Sequence, residues 1–221
     1  TGNAGVLQPF NDKKFPPEIR ATGIALSTDH NPRYCQIDPY WGTVNAVVEA
    51  VRNVSSVGAT PRAITDCLCF GNPEKPAQMA DFVASIRALG DTCKGINLER
   101  DPSIPLPIVA GNVSFYNESH QGAIPASPMI SCFGRIDDAA RAITFSFKQP
   151  DSIILLSGER KDECGGSVYY SLHGHLGANL PKPDVSEVTN QVVALTESIR
   201  KKLILTAHDI SEGGIAVALA E

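Results

Sequence analysis

Two short stretches place polar side chains where an apolar strand would not choose them. In Gly111-Asn112-Val113-Ser114-Phe115-Tyr116-Asn117-Glu118, a glycine and short polar residues follow the apolar run Ile108-Val109-Ala110. With a strand's period of two, Asn112, Ser114 and Tyr116 face one way, and Gly111, Val113 and Phe115 the other. Asparagine and serine are poor strand formers, and such local conflicts concentrate at functional sites. In Pro61 to Phe70, a second apolar run ahead of the turn Gly71-Asn72-Pro73, alternation puts Asp66 with Ile64, Leu68 and Phe70. A carboxylate on an apolar face is costly unless a cation, a metal or hydrogen-bond donors meet it. Arg62 is one candidate partner. The other is Mg²⁺, held by Asp66 and Asn112 as hard oxygen ligands and bridging to phosphates. Gly111 would let a ligand approach the backbone closely.

Five strings, in this order, cover nearly the whole chain: Leu26-Ser-Thr-Asp-His-Asn-Pro-Arg-Tyr-Cys35, Asp38-Pro-Tyr40, Ile64-Thr-Asp-Cys-Leu-Cys-Phe-Gly-Asn-Pro-Glu-Lys75, Gly111 to Glu118, and Ala207-His-Asp-Ile-Ser-Glu-Gly-Gly214. Together they resemble the second half of the large, ATP-dependent subunit of the phosphoribosylformylglycinamidine synthase family. The stretch Lys94 to Leu106 is longer than the bacterial pattern and lies between motifs. The resemblance implies an α/β (α+β) fold, with an aminoimidazole ribonucleotide synthetase-like N-terminal domain of mixed sheet backed by helices. A truncated α/β C-terminal-type domain would follow, with the boundary giving 1–147 and 148–221.

The implied reaction uses ATP to activate the amide oxygen of formylglycinamide ribonucleotide. Ammonia from glutamine then attacks the carbon and phosphate leaves. Asp66 and Gly111 resemble ATP-contacting positions, Asn112 a Mg²⁺ ligand and Ser114 a substrate contact. No catalytic residue is implied in this chain, because the family's histidine catalyst belongs to the first half. Implied partners are a glutaminase subunit or domain, a small accessory subunit and the first half of the same chain, in the cytoplasm. Two rival readings stand beside this one. The first is an auxiliary nucleotide-binding half without turnover. The second is a related phosphotransferase such as selenophosphate synthetase, disfavoured by Asn72-Pro-Glu-Lys75 and Asn117-Glu118.

Other polar groups have competing roles. His208 to Gly214 either offers a phosphate the start of a helix, or uses Asp209 or Ser211 as that helix's cap. Asp29, His30, Asn31, Arg33 and Asp38 either contact a ligand or cap loops. Glu163-Cys-Gly-Gly-Ser167 either lines a ligand cleft through its glycines or, the preferred reading, initiates a helix, and Trp41 reads as packing. No GxxxxGK[ST] loop is present, so an ATP site needs another construction.

The elements that must position these groups follow from periodicity. Thr22 to Asp29 reads as a strand. Thr43 to Val57 carries the helical stripe Val44, Val47, Val48, Val51 and Val54, with Gly58 as its stop. Pro76 opens a second helix, with Met79, Phe82, Val83, Ile86, Leu89 and Cys93 on one face. Met129 to Ile136 is a further strand. Beyond a boundary near Thr144 to Pro150, Asp151 to Gly158 reads as a buried strand. Val188, Val192, Leu195, Ile199 and Leu203 read as one helix stripe, Leu203 to Ala207 as a strand, and Ser211 as the start of a last helix.

The chain of 221 residues has a net charge of −5 and 43% hydrophobic residues, room for a substantial core. Scattered Lys and Arg give no nucleic-acid footprint, and no apolar run approaches the ~20 residues of a membrane span. Six cysteines without a CxxC pair read as reduced thiols, with Cys67 and Cys69 on one strand face. A start without methionine and a stop inside an apolar helical run read as a fragment, whose uncovered sheet face would favour homodimers.

Overall fold

Chain order gives β1 (Gly5–Leu7), α1 (Pro17–Arg20), β2 (Gly23–Asp29), α2 (Pro32–Ile37), α3 (Pro39–Ser56), β3 (Thr60–Cys69), α4 (Pro76–Gly95) and β4 (Ile108–Ser114). A small hairpin of β5 (Glu118–Ser119) and β6 (Gly122–Ala123) precedes β7 (Ser127–Ile136), and α5 (Val168–Leu172), α6 (Val185–Arg200) and α7 (Gly214–Ala220) follow. The computed structural model describes residues 2–98 and 103–221. Glu99, Arg100, Asp101 and Pro102, within the longer Lys94-to-Leu106 stretch, lie outside the described residues.

Helix α3 starts before its valine stripe because Asp38 caps it. The Asp38 carboxylate accepts from the backbone N–H of Tyr40 (2.9 Å) and Trp41 (3.1 Å), and Pro39 occupies the first turn. Val44, Val47, Val48, Val51 and Val54 are all buried. They face a five-stranded sheet of order β1-β2-β7-β3-β4, in which β3 and β4 run parallel and every other pair is antiparallel. The mixed sheet backed by helices is therefore present. Along β2, buried Ala25 and Ser27 alternate with exposed Ile24 and Leu26, so helices cover one face only. Helix α3 sits tight on β7: a Cβ at Gly134 would lie 2.2 Å from Val54 Cγ1. Such a clash forces the backbones apart.

One core cluster joins the α3 valines to Ile64, Ile130, Cys132 and Ile136, and it also takes in Val188 and Val192 of α6. The second region thus supplies one wall of the first region's core. Trp41 packs against the same cluster, as expected.

The second region corrects several expectations. Asp151 to Gly158 is not a strand and not buried: Ile153 and Leu155 are 86% and 85% exposed. A strand needs a ladder partner for its N–H and C=O groups, and no described strand pairs with this segment. Leu203 to Ala207 likewise forms no strand. Leu203 leaves the α6 stripe, because the helix ends at Arg200 and Lys202 turns left-handed at φ +58°. The last helix begins at Gly214 rather than Ser211. Among the described residues, no helix is long and apolar enough to cross a membrane.

Candidate functional site

The polar motifs meet where the parallel pair β3–β4 ends. Their register pairs Asp66 with Gly111, Cys67 with Asn112 and Cys69 with Ser114. Residues paired across strands share a face, so alternation puts Asp66 and Gly111 on the helix-covered side. Asn112 and Ser114 lie on the open side with the two thiols. The structure therefore brings together the two residues expected at ATP, and separately the residues expected at metal and substrate. Asp66 and Asn112 as ligands of a single cation are corrected by this register, since they point through opposite faces of the sheet.

The Asp66 carboxylate lies over Gly111. A Cβ there would fall 2.5 Å from Asp66 Oδ1 and 2.7 Å from Oδ2, so the position admits no side chain without displacing the acid. Burial raises the Asp66 carboxyl above its usual range, and no ion pair lowers it again. Arg62, exposed on β3, does not act as its counter-charge.

Strand β4 stops at Ser114, which ends the alternation expected to run on to Tyr116. Tyr116 is left-handed at φ +59°, and Phe115 turns inward to pack edge-on against Phe82, which packs likewise against Phe70. Asn117 ties the two strand ends. Its Nδ2 donates to the carbonyls of Phe70 (2.9 Å) and Ser114 (2.8 Å), and its side chain also meets the Ser114 hydroxyl. Glu118 accepts from Asn72 N–H (3.0 Å) and pairs with Lys75 (2.8 Å), fastening the Gly71-Asn72-Pro73 turn. Asn117 and Glu118 thus position the site. Their place in the Gly111–Glu118 motif, three and four residues past the strand end, was the sequence signal at these positions.

A second polar cluster was not assembled by sequence spacing. Asp29, at the end of β2, accepts from Asn53 Nδ2 of α3 (2.9 Å). Its Oδ2 and the Asn53 Oδ1 are buried without a hydrogen-bond partner. Burial pushes the Asp29 carboxyl up to about 6, against hydrogen bonds from Ser27 and Asn53 that lower it. Burial, with repulsion from Asp29, Glu212 and Asp209, pushes Glu49 up to about 8. Asp209 is raised by burial too, with His208 opposing. Asp209 accepts from Asn3 and sits 3.2 Å from His208 Nδ1; the His208 ring stacks on Phe145 at 4.8 Å.

The remaining polar groups have partners within the chain. Neither Asp209 nor Ser211 caps α7, whose start has no side-chain cap. Glu212 instead meets Asn31 Nδ2 (3.3 Å) and Arg33 (3.9 Å). Asn31 caps α2 through the N–H groups of Arg33 and Tyr34. Ser167 Oγ accepts from Tyr170 N–H and caps α5, the expected helix-initiating turn.

The donor chemistry bears on Mg²⁺. Asn112 supplies one hard oxygen on the open face, and among the described residues no three His, Cys, Asp or Glu side chains gather in a metal-holding group. Asp29, Glu49 and Asp209 repel one another without forming such a group, and of their oxygens Asp29 Oδ2 is buried without a hydrogen-bond partner.

Comparison with known proteins places these features in context. The profile of "AIR synthase related protein, N-terminal domain" matches residues 2–136, and that of the C-terminal domain matches residues 149–221. The chain is 46% identical over 220 residues to the phosphoribosylformylglycinamidine synthase subunit PurL of Methanothrix thermoacetophila, covering 99% of this chain and 28% of that protein. Among solved structures, T. maritima PurL complexed with AMPPCP superposes with a TM-score of 0.52 at 28% identity, over 64% of this chain and 21% of that one. The same protein complexed with FGAR gives 0.51 at 28% identity, over 64% and 20%. The chain thus spans about a quarter of the length of the curated relatives it matches.

Proposed function

Since the chain belongs to the AIR synthase related family, we propose that it is part of an ATP-dependent carbon–nitrogen ligase of purine biosynthesis. The ligase converts formylglycinamide ribonucleotide, glutamine-derived ammonia and ATP to formylglycinamidine ribonucleotide, ADP and phosphate. The observation that carries this reading is the Asp66 carboxylate packed on Gly111, with Asn112 and Ser114 presented on the other face of the same strand pair. Phosphoryl transfer of this type depends on positioning and charge neutralisation rather than on a protein nucleophile. A set made of Asp, Gly, Asn and Ser suits that task.

In this reading Asp66, seated against bare Gly111, accepts hydrogen bonds from the nucleotide. Ser114, its hydroxyl oriented by Asn117, contacts the ribonucleotide substrate. Asn112 would hold Mg²⁺ through its side-chain oxygen. When bound, the ion neutralises developing phosphate charge. A glutaminase and a small accessory subunit complete the assembly in the cytoplasm, in keeping with six free cysteines. The 221 residues alone form no amidine product.

The test uses the full-length protein and its ATP-dependent amidine formation. Asn112→Ala should lower kcat by at least about tenfold with an unchanged melting temperature, while Gly111→Val should abolish ATP binding. Wild-type kinetics in both variants would overturn the assignment.

The orphaned oxygens of Asp29 and Asn53 favour a second reading, an auxiliary nucleotide site without turnover. Calorimetry with Mg²⁺ and ADP would then show binding that Asp29→Asn removes while amidine formation persists. Binding unaffected by Asp29→Asn would exclude this reading.

A further inference from the structure

Among the described residues, three other than glycine take a left-handed backbone: Tyr116 (φ +59°), Asp151 (φ +59°) and Lys202 (φ +58°). Two of them are ordinary. Aspartate enters this region readily, and Lys202 follows the end of α6, where a left-handed residue commonly closes a helix. Tyr116 is different: a bulky side chain is an outlier there, because its Cβ crowds the following carbonyl.

The surrounding structure holds Tyr116 in this conformation from both sides. Its N–H donates to the Gly71 carbonyl (3.1 Å), and its carbonyl accepts from Glu118 N–H (2.9 Å). Asn117 N–H donates to the Phe70 carbonyl (3.1 Å). The Asn117 side chain and the Glu118–Lys75 pair complete the clamp. Strain of this kind persists only where the structure over-determines it, and it gathers at active sites and ligand clamps. Glycine or asparagine would take the same turn with little strain. The sequence instead presents a tyrosine that is 59% exposed, while its neighbour Phe115 packs inward against Phe82.

We infer that Tyr116 is a substrate-contacting residue, whose ring covers the sugar of the bound ribonucleotide and whose phenolic O–H donates to one of its oxygens. The inference rests on the ligase reading, which seats that ligand at Ser114. Two residues of chain separate Ser114 from Tyr116, so their Cα atoms stand within about 7 Å, inside the reach of a phenol. A ribose phosphate offers an apolar C–H edge beside hydroxyl and phosphate oxygens, and a ring with a polar tip matches both. Tyr116 lies beyond the last residue of β4, so the contact asks nothing of the sheet's helix-free face.

The test uses the full-length protein. Tyr116→Asn keeps a residue type that accepts the left-handed turn, so the melting temperature should equal the parent's or exceed it by up to about 4 °C. The KM and the calorimetric dissociation constant for formylglycinamide ribonucleotide should rise by at least about tenfold, while kcat stays within about threefold and the KM for ATP within about twofold. Tyr116→Phe keeps the ring and should weaken ribonucleotide binding by only about fivefold, the worth of one hydrogen bond. Unchanged ribonucleotide binding by Tyr116→Asn, beside a parent that binds, would overturn the inference and leave the ligase reading standing. A parent that does not bind the ribonucleotide would overturn both. A melting temperature lowered by more than about 4 °C in Tyr116→Asn would assign the tyrosine to the fold and overturn the inference as well.

Discussion

Helix α3 buries its valine stripe and β3 its isoleucine, whereas residues 151–158 leave their isoleucines and leucines in solvent. Ile64 in β3 is fully buried, and Ile153 in an equally apolar run is 86% exposed. The two runs differ in neighbours, not in composition. β3 has β7 on one side and β4 on the other, with Ile130 and the α3 valines in the same core cluster. The run from Asp151 has no described strand beside it. A sheet residue gains its stability from cross-strand and same-face partners, so an apolar sequence without them gains little from being extended.

The comparison breaks most readily at the aromatic corner. Phe70 is fully buried and its ring meets Phe82 at 5.2 Å. Phe70→Ala should cost about 3–5 kcal/mol in urea unfolding, and a loss below about 1 kcal/mol would show that the first region is not the stable unit described.

A smaller effect follows from the buried acids that link the two regions. Asp29 and Glu49 have carboxyls raised in the folded protein, to about 6 and about 8, so the folded state holds their protons more tightly than the unfolded chain. Their contribution is fully present below about pH 4 and is lost as pH rises through those folded values. Stability should therefore fall between about pH 4 and pH 8, and Asp29→Asn should flatten the lower part of that slope by on the order of 1–3 kcal/mol. A slope unchanged by Asp29→Asn would place the titration elsewhere.

Asn117→Ala removes the amide that bridges the ends of β3 and β4, and should cost about 1–2 kcal/mol by the same denaturation. Ser114 would lose its oriented contact, so the KM for the ribonucleotide in the full-length ligase should rise with it. At the small end, Leu155→Ser should leave the unfolding midpoint within about 0.5 kcal/mol of the parent. A large loss there would mean that the second region's apolar run is packed after all.

What was legible follows the same division. The valine stripe gave α3, and Asp66 was assigned to the apolar side of β3, because periods of 3.6 and two are local properties. The juxtaposition of Asp66 with Gly111 was reachable only through family resemblance, since the register between strands depends on contacts far apart in sequence. The same register put Asn112 and Asp66 on opposite faces, which no single-strand pattern reveals. The Asp29–Asn53–Glu49–Asp209 cluster was invisible for a related reason: its members come from β2, α3 and the segment before α7. Asn117 was quoted in a motif, but its bridging role was not visible, because a side chain that ties two strand ends looks, in sequence, like any turn asparagine.

The placement of β7 has a consequence for how the chain acquires its shape. Ala25 of β2 pairs with Gly134, and Ile64 of β3 pairs with Cys132, so the strand between them is the last of the five to be synthesised. Until residues 127–136 leave the ribosome, β2 and β3 have no common neighbour, and the α3 valines lack the surface they finally cover. High-separation pairing of this kind is slow, because chain closure is paid for before contacts reward it. The nascent protein therefore spends its early life with an unfinished centre rather than unfinished edges, the interval in which a holding chaperone would matter most.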